Sequence, residues 1–180
     1  NLYQLSSKID NSKGFTNFTF SRTEYDREYV NGTEIDTYDS TSNTYILTNT
    51  LLKSNFDITP GIEYEYFDGS FNNTGSYTAK VDTDGENVGY FVNGNLIASD
   101  KLLVSAGIRQ DDPSLFGDYT TYRLGGTYDL TGALKLKSNY ATSVKTPTLY
   151  EMHGSDSYGY NGNPNLQPEE AETIDIGFEY

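Results

Sequence analysis

The chain has 180 residues, 35% of them apolar, with 17 Tyr, 17 Gly, no Cys, no Trp and a formal charge of −14. Without Cys there are no disulfides, thiolate metal sites or Cys nucleophiles, and an acidic balance with no basic cluster argues against a nucleic-acid partner. Aromatic and β-branched residues are too abundant for a disordered chain, and no apolar run nears the ~20 residues of a membrane-spanning helix, but spanning β-strands stay open because they need an apolar residue only at every second position.

Period-2 alternation bounded by turn residues predicts nine strands, at 2–9, 14–26, 44–53, 58–67, 88–98, 102–110, 119–130, 133–143 and 172–180. The connectors alternate in length: short at 10–13, long at 27–43, short at 54–57, long at 68–87, short at 99–101, medium at 111–118, tight at 131–132 and long at 144–171. Turns therefore gather at one end of the sheet and loops at the other. With strands near ten residues, that is the layout of a transmembrane barrel with short periplasmic turns and long extracellular loops.

Tyr122, Leu124, Gly126, Tyr128 and Leu130 share one face of their strand, while Thr121, Arg123, Gly125, Thr127 and Asp129 share the other. Such alternation fits a soluble sandwich or a barrel whose apolar face meets lipid. Tyr64, Tyr66, Tyr128, Tyr140, Phe178 and Tyr180 lie near strand ends on the apolar face, where barrels carry aromatic girdles. Two strands fit less well. Ile46 and Leu52 fall on the polar face of 44–53, which implies a partly apolar lumen or a bulge, and Pro60 implies an edge, a strand start or a bulge.

No catalytic set emerges, and the chain reads as a non-enzyme with no cofactor. His153 is the only His, so no site with two His ligands can form. Acidic pairs occur at Asp82 and Asp84, Asp111 and Asp112, and Glu169 and Glu170. The first pair resembles the start of a calcium loop, yet Asn93 stands where the bidentate Glu belongs. No metal site is expected. In GNPNLQPEE, Gly162 gives backbone freedom while Pro164 and Pro168 hold Asn163 and Gln167 extended, so the last loop re-enters a strand by a stiffened route.

Three stretches carry a family likeness: GYFVNGNLIASDKLLVSAGIRQDDPSLFGDYTTYRLGGTYDL from Gly89, YATSVKTPTLYEMHG from Tyr140, and GNPNLQPEEAETIDIGFEY from Gly162. They resemble the TonB-dependent outer-membrane receptors and, within them, the cobalamin receptor branch. The matching residues are Arg109, Asp111, Asp112, Ser114, Phe116 and Gly117 in the first, and Lys145, Pro147 and Leu149 in the second, where Thr146 replaces the commoner Ala. In the third they are Gly162, Asn163, Pro164, Leu166, Pro168 and Glu169. The resemblance implies an all-β fold, a transmembrane antiparallel β-barrel of about 22 strands in the bacterial outer membrane. Residues 1–180 are read as an interior segment of that barrel domain, with the plug, the TonB-contacting box and the remaining strands outside it.

The implied function is active uptake of cobalamin or a related cobamide, with a ferric-siderophore or haem receptor as the alternative within the family. A passive porin and a secreted β-sandwich adhesin are the alternatives from other classes. Expected partners are the large ligand, outer-membrane lipid and lipopolysaccharide, and the TonB complex through the plug. Tyr150, His153, Tyr158, Tyr160 and Asn161, in the last long loop, are the candidate ligand-lining residues, because aromatic and amide groups suit a large amphipathic ligand.

Overall fold

The computed structural model describes residues 1–73, 80–155 and 159–180. Nine strands form one antiparallel sheet in strict sequence order: β1 (Leu2–Asn11), β2 (Gly14–Asn31), β3 (Glu34–Leu52), β4 (Phe56–Asn73), β5 (Lys80–Ser99), β6 (Leu102–Pro113), β7 (Tyr119–Thr131), β8 (Leu134–Lys145) and β9 (Glu169–Glu179). A short helix, α1 (Leu149–His153), lies between β8 and β9. Every neighbouring pair is a hairpin, the up-and-down order that alternating connector lengths require.

Cross-strand pairing sorts the side chains into two faces. Phe18, Leu47, Ile62, Tyr90 and Gln110 follow one another across β2 to β6, and Tyr122, Leu124 and Tyr128 continue that face through Tyr140, Leu136, Ile174 and Phe178. This face is uncovered: Leu47 is 47% exposed, Leu124 55%, Ile174 73% and Phe178 69%. A soluble sandwich would bury it under a second sheet. Here no second layer exists among the described residues, and so long an apolar band suits lipid contact.

The opposite, inner face carries polar groups and long side chains. Arg109 on β6 binds Asp111 through two hydrogen bonds of 2.7 Å and reaches across β5 to Glu63 on β4 at 2.8 Å. It can cross because β5 presents Gly89 there, where a Cβ would overlap the guanidinium. Asp111 is almost fully buried and also accepts 2.7 Å from Asn87. A bidentate Arg–carboxylate pair, one partner buried, is among the stronger polar contacts a sheet can hold.

Several expectations are revised. Residues 27–43 and 68–73 with 80–87 are mostly strand, so β2 to β5 run 18, 19, 18 and 20 residues. The reason is local: β-formers such as Tyr29, Val30, Ile35 and Tyr38 continue the strands, and Gly32, at φ 65, is the first residue of a two-residue turn that closes β2 on β3. Asp82 and Asp84 belong to β5 and not to a loop. Ile46 and Leu52 face inward with no register shift in β3, so the lumen face is partly apolar there.

Pro60 lies inside an inner strand. The β3–β4 register passes from Thr48 opposite Gly61 to Leu51 opposite Ile58, and a 2.9 Å hydrogen bond between the Thr50 and Thr59 hydroxyls spans the gap that the missing donor leaves.

Candidate functional site

Above the apolar band, the tall strands β2 to β5 and the loop after β8 meet on the inner face. The loop is shaped by its own sequence. Pro147 holds Thr146 extended, and Thr148 and Glu151 then form a capping box: the Glu151 N–H donates to the Thr148 hydroxyl at 3.2 Å, and the Thr148 N–H donates to the Glu151 carboxylate at 2.8 Å. Those bonds hold the Glu151 carboxyl below the usual carboxylate range, the backbone contact first and the hydroxyl second. A five-residue helix is too short to persist alone, so the cap and the returning chain carry it.

The returning chain is the Gly-Asn-Pro word. The Gly162 N–H donates to the Gly154 carbonyl at 2.6 Å and the Asn163 N–H to the Glu151 carbonyl at 2.9 Å, wrapping the end of α1 around the buried Met152. Gly162 lies so close that a Cβ would stand 2.6 Å from the Met152 carbonyl oxygen. Asn163 accepts the Asn165 N–H at 3.0 Å and Leu166 donates to the Asn163 carbonyl at 3.2 Å, while Lys145 and Glu169 pair at 3.4 Å where the loop leaves and re-enters the sheet. The described parts of the loop are thus fastened to one another by their own backbone.

The loop meets the tall strands through a run of aromatic rings. Arg27 lies over Tyr38 at 5.7 Å, Tyr38 packs on Phe71 at 4.5 Å, Phe71 meets Tyr150 edge-on at 5.9 Å, and Tyr150 stacks on Tyr160 at 5.1 Å with the planes 1° apart. Each ring pair contributes roughly 0.5–1.5 kcal/mol beyond burial. Beside this run opens a cleft of about 450 Å³, lined by Tyr25, Tyr38, Asp39, Ser40, Gly69, Ser70, Phe71, Val81, Thr148, Leu149 and Tyr150. Its walls are mainly carbon, the character of a site for an amphipathic small molecule.

The predicted ligand-lining residues divide. Tyr150 and Tyr160 belong to the ring run, whereas His153 is exposed at the end of α1 and Asn161 is exposed in a bridge with Ser155. Tyr158 lies outside the described residues. Of the family-motif residues, Leu149 enters the cleft and packs 3.4 Å from the Cβ position of Gly69. Ser114 fastens the β6–β7 turn to β5: its N–H donates to the Glu86 carbonyl at 2.9 Å and its hydroxyl accepts the Glu86 N–H at 3.0 Å. Asp112 and Gly117 are exposed, Phe116, Pro147 and Pro168 half-buried, and Pro164 exposed, so these shape the chain without lining the cleft.

Tyr25, Tyr38, Phe71 and Val81 were not among the predicted residues, because three of them fall where long loops were expected. Their signal was the alternation Tyr25, Arg27, Tyr29 continuing through the Gly32 turn to Tyr38 and Ser40. No group of three or more His, Asp or Glu suited to a metal ion occurs among the described residues. The surroundings are acidic nonetheless. Residues 24–43, 65–73 and 80–87 contain Glu24, Asp26, Glu28, Glu34, Asp36, Asp39, Glu65, Asp68, Asp82, Asp84 and Glu86, with Arg27 and Lys80 as their only cations.

Against known proteins, the family model for the TonB dependent receptor-like β-barrel matches residues 1–180. A curated relative, the vitamin B12 transporter BtuB of Photobacterium profundum, is 30% identical over 128 residues, covering 69% of this chain and 20% of the relative. The siderophore receptor PirA of Pseudomonas aeruginosa aligns with a TM-score of 0.75 at 19% identity, over 98% of this chain and 34% of that one. The ferric enterobactin receptor PfeA of the same organism aligns with a TM-score of 0.80 at 16% identity, over 99% of this chain and 32% of that one. The chain thus spans a fifth of the first relative and about a third of the solved receptors.

Proposed function

Because the chain belongs to the TonB dependent receptor-like β-barrel family of the bacterial outer membrane, we propose that it is the part of a receptor that captures cobalamin or a related cobamide for active uptake. The rest of the parent protein supplies the remaining strands, a plug and the segment that contacts TonB. Residues 1–180 supply lipid-facing wall and one side of the extracellular mouth.

The observation that carries the reading is a carbon-lined, aromatic cleft on strands rich in carboxylates, with Glu34, Asp36 and Glu65 on the cleft's own face and most of the others on the opposite one. A ferric siderophore that carries net negative charge meets repulsion from the net negative charge of these strands, felt over a Debye length of about 8 Å at physiological salt. A large ligand with no net charge, such as cyanocobalamin, does not. The 30% identity to a vitamin B12 transporter points the same way, while likeness to siderophore receptors below 20% identity speaks for the fold alone. Ligand capture is assigned to the ring run Tyr38, Phe71, Tyr150 and Tyr160.

The test is equilibrium binding of radiolabelled cyanocobalamin to the full-length parent in detergent. Saturable binding that excess ferric enterobactin leaves in place is expected. Absence of binding at micromolar cyanocobalamin, or displacement by the siderophore, contradicts the reading.

A further inference from the structure

Resting on the cobamide reading, we propose that the cleft beside Tyr38, Phe71 and Tyr150 receives the planar aromatic base at the end of the cobamide's nucleotide arm, so that the receptor selects complete cobamides over base-free corrinoids. What the cleft offers matches one part of such a ligand better than the others.

A corrin ring carries amide side chains around its edge, and each amide taken out of water needs a hydrogen-bond partner. The cleft offers few, since Tyr25, Phe71, Val81, Leu149 and the faces of Tyr38 and Tyr150 make most of its wall. The nucleotide's ribose and phosphate are more polar still. The benzimidazole base is the one flat, aromatic, amide-free portion of the molecule. At about 450 Å³ the cleft has the volume for one end of a large ligand.

The wall also has the geometry for a ring. Tyr38 and Phe71 lie 4.5 Å apart with planes tilted by 31°, and Tyr150 stands edge-on to Phe71 at 79°, so faces and edges are both presented at the cleft margin. Tyr38 and Tyr150 keep more than a third of their surface exposed and can take up a further ring by offset or edge contact. The acidic surroundings tolerate a neutral base. They oppose a deprotonated catecholate ring, which is the competing aromatic occupant.

The experiment measures the full-length receptor's affinities for cyanocobalamin and for dicyanocobinamide, which lacks the nucleotide arm and base. Stacking of one base on aromatic side chains is worth a preference on the order of tenfold for cyanocobalamin. Phe71→Leu keeps apolar volume but removes the ring, and should bring the two affinities to near parity. Gly69→Val acts two residues along the same strand by filling the cleft: its Cβ is accommodated at 3.4 Å from Leu149, and its methyls occupy the space. It should give the same collapse even if the Phe71 variant fails to fold, and heat-modifiable migration checks folding of both.

Equal affinities in the wild type, or a preference that survives both variants, overturn the base site and leave the cobamide reading standing. Binding of neither corrinoid overturns both together. Displacement of cyanocobalamin by ferric enterobactin, with the preference absent, assigns the cleft to the catecholate ring instead.

Discussion

Two halves of the sheet obey the same rules inside the apolar band and part company above it. In β2 to β5 the strands continue upward as sheet, with Thr, Tyr, Ser and Asp replacing the lipid-facing residues and a Gly32 turn closing the first hairpin. In β8 and β9 the ladder stops at Lys145 and Glu169, and the chain turns into a compact loop with one helical turn. The difference does not come from polarity, since both upper regions are polar. Backbone chemistry decides it: β-formers and a Gly-first turn prolong a ladder, while Pro147, the Thr148–Glu151 box and Pro168 end one. The extended half gives the site a wall, and the loop half gives it a cover.

Below the site, Arg109 ties β6 to the tall strands, reaching across Gly89 to Glu63 on β4. Arg109→Leu tests that joint and carries the largest expected effect. It leaves Asp111 buried without its cation, a loss of roughly 3–5 kcal/mol, read as a lower urea midpoint of the full-length receptor. A midpoint within experimental error of wild type makes the joint incidental.

Gly162→Val separates the cover from the wall. Its Cβ meets the Met152 carbonyl, so the loop should open, becoming protease-sensitive and weakening cyanocobalamin binding about tenfold or more while the β-sheet persists. Gly32→Val acts at the tip of the wall. Forcing φ 65 on a β-branched residue should cost about 1–2 kcal/mol, confined to faster amide exchange near the tip.

The smallest effect is one of pH. Glu151 titrates below its ordinary value of 4.5, so its support for α1 is complete above that value and is lost as pH falls through the lowered one. Exchange at the Met152 and Gly154 amides, corrected for intrinsic rates, should accelerate on acidification, and Glu151→Gln should remove that pH dependence.

Much of the fold was legible because period 2 is a strong signal where one face is apolar: all nine strands stand where alternation puts them, and Leu47, Leu124 and Ile174 face as their spacing requires. The upper extensions were hidden because Asp39, Asp68 and Asp84 look like loop residues. In the sheet Asp26 pairs directly with Asp39 and Asp68 with Asp84, placements that alternation of hydrophobicity cannot flag. The Thr148–Glu151 box and the Gly32 turn were written in the sequence as short motifs. For the site, the loop aromatics Tyr150 and Tyr160 were readable, but Tyr38 and Phe71 lie far from them in sequence; the register of β3 on β4 sets Tyr38 beside Phe71, and the loop after β8 brings Tyr150 against Phe71.

If the tall half stands outside the membrane and walls a cobamide site with the loop, Tyr38 must be reachable from the medium and shielded by ligand. The chain has no Cys, which makes a single introduced thiol in it a specific reporter. Cells expressing the full-length receptor with Tyr38→Cys are treated with a membrane-impermeant maleimide, with and without saturating cyanocobalamin, against the unsubstituted receptor as background. Labelling from outside intact cells, slowed several-fold by cyanocobalamin, is the predicted result. Labelling that requires permeabilised cells, or a rate indifferent to cyanocobalamin, contradicts it.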